Sequence, residues 1–194
     1  PNVPDGHKCG RLHGHSFKIR IIIEGEPDQQ TGWIIDFADI VNAFEPLRKI
    51  LDHSHLNEIE GLENPTSENI AAWIWERLKD EFVELSWVSV YETKSSGCHY
   101  DGENYRIWKE RGFESALVIE NTPKHNPEHN LHGHSYLIRL HLTAPLDEVL
   151  GWTVDYGDVK EKFSPIYKQL DHNQLNFIDG LTSPDIRTFV HWIK

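Results

Sequence analysis

The chain has 194 residues, of which 26% are charged and 38% apolar, and a formal net charge of -12; this is the composition of a folded globular protein rather than a disordered one. The negative charge argues against sequence-independent binding to nucleic acid, which needs a basic surface, and no stretch approaches the ~20 apolar residues of a membrane span. Two cysteines, Cys9 and Cys98, are too few for a disulfide framework, and the first residues lack a basic-then-apolar leader, so the expectation is a cytoplasmic protein with free thiols.

In chain order, a turn-like segment with Gly6 and Gly10 carries Cys9 and leads into His13-Gly14-His15. Alternation and branched side chains make Phe17 to Ile21 a strand. Phe37, Ile40, Val41, Phe44, Leu47 and Leu51 recur at helical spacing, and Pro46 is expected to kink that helix or bound its last turn. Asp52-His53 follows. A second helix starts near the caps Thr66 or Ser67 and runs through Leu78. Trp87 to Tyr91 reads as a strand ending at Glu92, and Cys98 lies near another.

The pattern then returns. Leu12-His13-Gly14-His15-Ser16 recurs as Leu131-His132-Gly133-His134-Ser135, and the same offset carries Gly32-Trp33 onto Gly151-Trp152, Asp36 onto Asp155 and Leu51-Asp52-His53 onto Leu170-Asp171-His172. One register held over so long a stretch marks a tandem repeat. Its strand covers Tyr136 to Leu142. Its first helix, Tyr156 to Leu170, contains Pro165, and Ser183-Pro184 reads as the N-cap and first position of its second helix. The order strand, helix, helix, strand gives an α+β layered domain, antiparallel strands with two helices on one face. The expected division is a first repeat over residues 1–104, a connector over 105–111 and a second repeat over 112–194.

On a strand, residues i and i+2 point the same way, so His13 and His15 can aim two imidazoles at one metal. Cys9 has two readings: a further ligand, or a catalytic thiol activated by a nearby cation. Asp52-His53 also has two: a helix-ending cap, or a carboxylate that orients an imidazole for proton transfer. The second copy keeps the latter pair as Asp171-His172 but has Glu128 at the cysteine position.

Together, Gly6-His7-Lys8-Cys9-Gly10-Arg11-Leu12-His13-Gly14-His15-Ser16, Thr31-Gly32-Trp33-Ile34-Ile35-Asp36-Phe37, Leu51-Asp52-His53, Pro65-Thr66-Ser67-Glu68-Asn69 and Glu92-Thr93 resemble the 6-carboxytetrahydropterin synthases, the queuosine-pathway branch of the 6-pyruvoyltetrahydropterin synthase family. The resemblance is close over the first ~100 residues and continues as a diverged second copy. It implies a tandem tunnelling fold (T-fold), each repeat a four-stranded antiparallel sheet with two helices inserted after the second strand, here incomplete at both ends, in a protein that assembles into homo-oligomeric barrels. It implies zinc held by His13 and His15, Cys9 as general base, Asp52 and His53 as proton relay, and Glu92 as the anchor for the pterin N–H groups, with Thr93 and Thr66 in the substrate site. The implied reaction takes the small-molecule substrate 7,8-dihydroneopterin triphosphate to 6-carboxy-5,6,7,8-tetrahydropterin, releasing acetaldehyde and triphosphate. A third zinc histidine would lie before Pro1; its counterpart in the second copy is Leu117, so that copy is expected to be degenerate. Because cysteine and Asp-His pair come from neighbouring subunits in this family, Asp171 and His172 are alternatives to Asp52 and His53. The competing readings are 6-pyruvoyltetrahydropterin synthase activity and a catalytically decayed pterin-binding paralogue.

Overall fold

A computed structural model describes residues 2–3, 5–181 and 183–193. By chain contacts it divides into one unit of residues 1–109 with 141–155, and another of residues 110–140 with 156–194.

In the first unit, strands β1 (Lys18–Ile23), β2 (Leu85–Thr93), β3 (Ser96–Tyr100) and the start of β4 (Tyr105–Leu117) pair antiparallel in that order. The inserted helices are α1 (Phe37–Leu51) and α2 (Ser67–Leu78). Each begins on a side chain that accepts an orphan N–H of the first turn: Asp36 from Ala38 N and Thr66 from Asn69 N. Pro46 sits inside α1, which continues to Leu51. The apolar stripe of α2 (Ile70, Ala71, Ile74, Leu78) packs with Leu47 of α1 on Val88 and Val90 of β2. At ~25 cal/mol per Å² of apolar surface removed from water, such burial is the main term holding the layer together.

The second unit has β5 (His132–Thr143), which begins there next to β4, then α3 (Tyr156–Leu170), the short β6 (Asn173–Gln174) and α4 (Ile186–Ile193). Its core gathers Phe113, Leu117, Phe163, Leu170, Leu175 and Phe189. Pro165 again lies inside its helix.

Three expectations need correction. His13 and His15 precede the strand rather than lying in it: β1 starts at Lys18, opposite Tyr91, and β2 breaks register between Tyr91 and Thr93 to enter the hairpin, leaving the residues before Lys18 without a ladder partner. In the second copy β4 runs on to Leu117, and there His132 and His134 do lie in β5. The cap of α4 is Asp185, which accepts from Arg187 N and Thr188 N, not Ser183-Pro184; Thr182, which the repeat aligns with Thr66, lies outside the described residues. Residues 105–111, expected as a connector, form the first half of β4.

Candidate active site

A short 3-10 turn, Lys8–Gly10, presents Cys9. Its N–H donates to His7 Nδ1 at 3.3 Å, which caps the turn. Burial pushes the Cys9 thiol above its ordinary value, and the carboxylates of Asp155 and Glu92 push it the same way, against an opposing pull from Lys8. Cys98 is fully buried, its thiol also raised by burial, and is cut off from such chemistry.

The rings of His13 and His15 meet edge to face with centroids 5.0 Å apart. His13 Nδ1 lies 2.6 Å from Arg11 O, so Nδ1 carries the proton and Nε2 keeps its lone pair, the tautomer a metal ligand needs. Burial lowers the His15 pKa, with His13 adding to it, which favours the neutral imidazole. His15 Nε2 stands 3.6 Å from Glu92 Oε1 near the end of β2. The pair fits zinc chemically; among the described residues no third histidine, cysteine or carboxylate completes a metal cluster.

Glu92 is three-quarters shielded, and burial raises its pKa. Thr93 points its hydroxyl into the β2–β3 turn, 2.6 Å from Ser96 Oγ. Thr66, besides capping α2, donates to Gly151 O at 2.5 Å. Sequence reading missed this contact: residues 150–155 of the second copy dock on the N-terminus of α2, with Asn64 Nδ2 donating to Leu150 O at 2.8 Å and Thr153 N to buried Glu68 at 3.0 Å. The docked segment brings Asp155 Oδ2 to 3.3 Å from His7 Nε2 and the Trp152 ring to 6.0 Å from His7. The only sequence signal was the recurrence of Gly32-Trp33 and Asp36 at these positions.

Asp52 and His53 are not gathered with Cys9 by any hydrogen bond or ion pair among the described residues. Asp52 is held by Arg48 and His53, and the His53 side chain is 94% exposed. In the second unit Asp171 accepts from Glu114 N while His172 N donates to Glu114 O, so this pair ties the end of α3 to β4. The Glu114 N–H, and secondarily His172, lower the Asp171 pKa.

The histidine pair is reproduced in the second copy, with rings 4.9 Å apart and His132 Nδ1 2.8 Å from Asn130 O. Leu117, however, is buried in that unit's apolar core, and Glu128 occupies a 3-10 turn equivalent to that of Cys9. The 6-pyruvoyl tetrahydropterin synthase family matches this chain twice, over residues 2–103 and 106–193. The chain belongs to that family. Among relatives, a 6-carboxy-5,6,7,8-tetrahydropterin synthase of Synechocystis sp. is 43% identical over 99 residues, 48% of this chain and 77% of the relative. A dihydroneopterin monophosphate aldolase of Pyrococcus furiosus is 38% identical over 93 residues, 46% of this chain and 78% of its own. The human 6-pyruvoyl tetrahydrobiopterin synthase is 32% identical over 112 residues, covering 53% and 70%. Each alignment spans about half of this chain but more than two thirds of the relative, as a tandem member of a pterin-processing enzyme family would. No helix among the described residues is long and apolar enough to cross a membrane.

Proposed function

We propose that this member of the family is a zinc-dependent carbon–carbon lyase that converts 7,8-dihydroneopterin triphosphate to 6-carboxy-5,6,7,8-tetrahydropterin, acetaldehyde and triphosphate, a step toward queuosine. The observation that carries this reading is the convergence, in one unit, of the Cys9 turn, the His13–His15 pair with the Nε2 lone pair of His13, and the shielded carboxylate of Glu92. The 43% identity with a relative named for that product supports it.

In this mechanism His13 and His15 would hold the zinc, together with the third histidine that the family resemblance implies before Pro1. The metal would supply Lewis-acid stabilisation of developing negative charge. Glu92 accepts the pterin N–H groups and fixes the ring. Cys9 Sγ takes a proton from the side chain. A thiol shielded and faced by two carboxylates holds its own proton at neutral pH, and becomes a base when positive charge is brought beside it. An Asp-His pair, from either copy, moves the second proton. Homo-oligomeric assembly is part of the proposal: Leu12 and Phe37 in the first unit and Phe177 in the second are largely exposed, as surfaces awaiting a partner are. We place the enzyme in the cytoplasm.

The test is product identity. Zinc-loaded full-length protein is given the triphosphate, and separately the monophosphate that the Pyrococcus relative's name suggests, and pterin and aldehyde products are identified by mass. The 6-carboxy product with acetaldehyde is expected from the triphosphate. A 6-pyruvoyl product without acetaldehyde, favoured by the human relative, would replace this reading, and no turnover of either would mark a decayed paralogue.

A further inference from the structure

We infer that Asp155, a residue of the second copy, is a positioning residue for Cys9 of the first, acting through His7. This rests on the reading of Cys9 as the acting thiol. The His7 ring has one nitrogen for each side: Nδ1 accepts the Cys9 N–H at 3.3 Å, so Nε2 carries the proton, and it stands 3.3 Å from the Asp155 Oδ2 carboxylate oxygen. The turn that presents the thiol is thereby fastened to the docked segment. With side chains only 30% and 18% exposed, the His7–Asp155 pair is shielded enough to hold a geometry, unlike a fully solvated ion pair.

The far end of the clamp is rigid. Asp147 Oδ1 accepts from Val149 N and Leu150 N, Gly151 N donates to Asp147 O, and Asp147 N donates to Trp152 O. Asp28 makes the same four bonds with Gln30, Thr31, Gly32 and Trp33 in the first copy. The two loops are thus one device with different fates. Gly32 has open space where a Cβ would stand and Trp33 is half exposed. Gly151, with φ +71°, has the side-chain amides of Asn64 and Asn69 in that space, and its neighbours bond to Asn64 and Glu68. The docked copy delivers its aspartate to His7, while Asp36 caps α1. A repeat that has lost its own thiol is therefore retained in the machinery of the other.

Variants of the full-length protein test this. His7→Ala and Asp155→Ala should each lower kcat about ten- to a hundredfold with little change in KM, as for a group misplaced by about an ångström, and Asp155→Asn, which keeps an acceptor for His7 Nε2–H, should recover most of the lost rate. Cys9 alkylation by iodoacetamide is read in parallel, without substrate; Cys98 is too buried to contribute. Alkylation should accelerate severalfold in His7→Ala, which frees the turn but leaves the Asp155 charge in place, and should be slower in Asp155→Asn than in Asp155→Ala, both of which remove the charge that raises the thiol. Thermal melting checks that each variant folds. Unchanged Cys9 alkylation in folded His7→Ala and Asp155→Ala would overturn the clamp, as would an Asp155→Asn defect equal to that of alanine. If alkylation responds as expected but no pterin is turned over, the clamp stands and the proposed function fails.

Discussion

At the scale of single residues, His53 and His172 stand out: at φ 57° and 58° they are the non-glycine residues with left-handed backbone among the described residues, each just past the end of its helix. Helices commonly end this way, but on glycine; a side chain there costs about 1 kcal/mol. Two histidines kept in a place that favours glycine point to a use for the imidazole in at least one copy. His53→Gly and His172→Gly should therefore melt no lower than wild type, and loss of turnover in one but not the other identifies the relay; loss of stability in both would mean the rings merely cap. For the thiol, Cys9→Ala should retain fold and zinc while turnover drops by about two or more orders of magnitude, as for a lost general base. Zinc lost along with it would make Cys9 a ligand instead.

At the scale of elements, the helices and their order were legible because 3.6-residue periodicity and the cap at Thr66 are local signals. The state of His13-Gly14-His15 was not, because identical local sequence is strand in one copy and unpaired in the other according to how far the neighbouring strand runs. Nor could local reading find the docking of residues 150–155 on α2, which joins segments some eighty residues apart through Glu68. Glu68 also sets a pH dependence. Desolvation raises its pKa against the bonds from Thr153 and Ser67. The folded state then holds the proton more tightly than the unfolded chain, so stability from this group is fully present below about the ordinary value of 4.5 and is lost as pH rises through the raised value. Urea melts across that window should show a downward slope in the wild type that Glu68→Gln flattens; an unchanged slope would show that Glu68 ionises freely. Glu68→Ala, which leaves the Thr153 N–H unpaired, should lose about 1–3 kcal/mol at a pH where Glu68 is protonated.

At the scale of the whole molecule, the proposal is that the two copies divide their work. The family match and the repeat register were both visible in the sequence, since they rest on residue identity; which copy holds which part of the site was visible only in part. Cys9 against Glu128 and the expected third ligand against Leu117 marked the second copy as diverged, yet its histidine pair keeps the geometry of the first, and His132 Nε2 is buried with no hydrogen-bond partner in its unit. Two imidazoles beside a buried leucine do not make a closed zinc site, which takes three or four protein donors. The central claim is that the first copy is the enzyme and the second supports it, and zinc content per chain tests it most directly. Full-length protein should hold about one zinc, lost with activity in His13→Ala and retained in His132→Ala. Two zincs per chain, or a single zinc that leaves with His132, would contradict it.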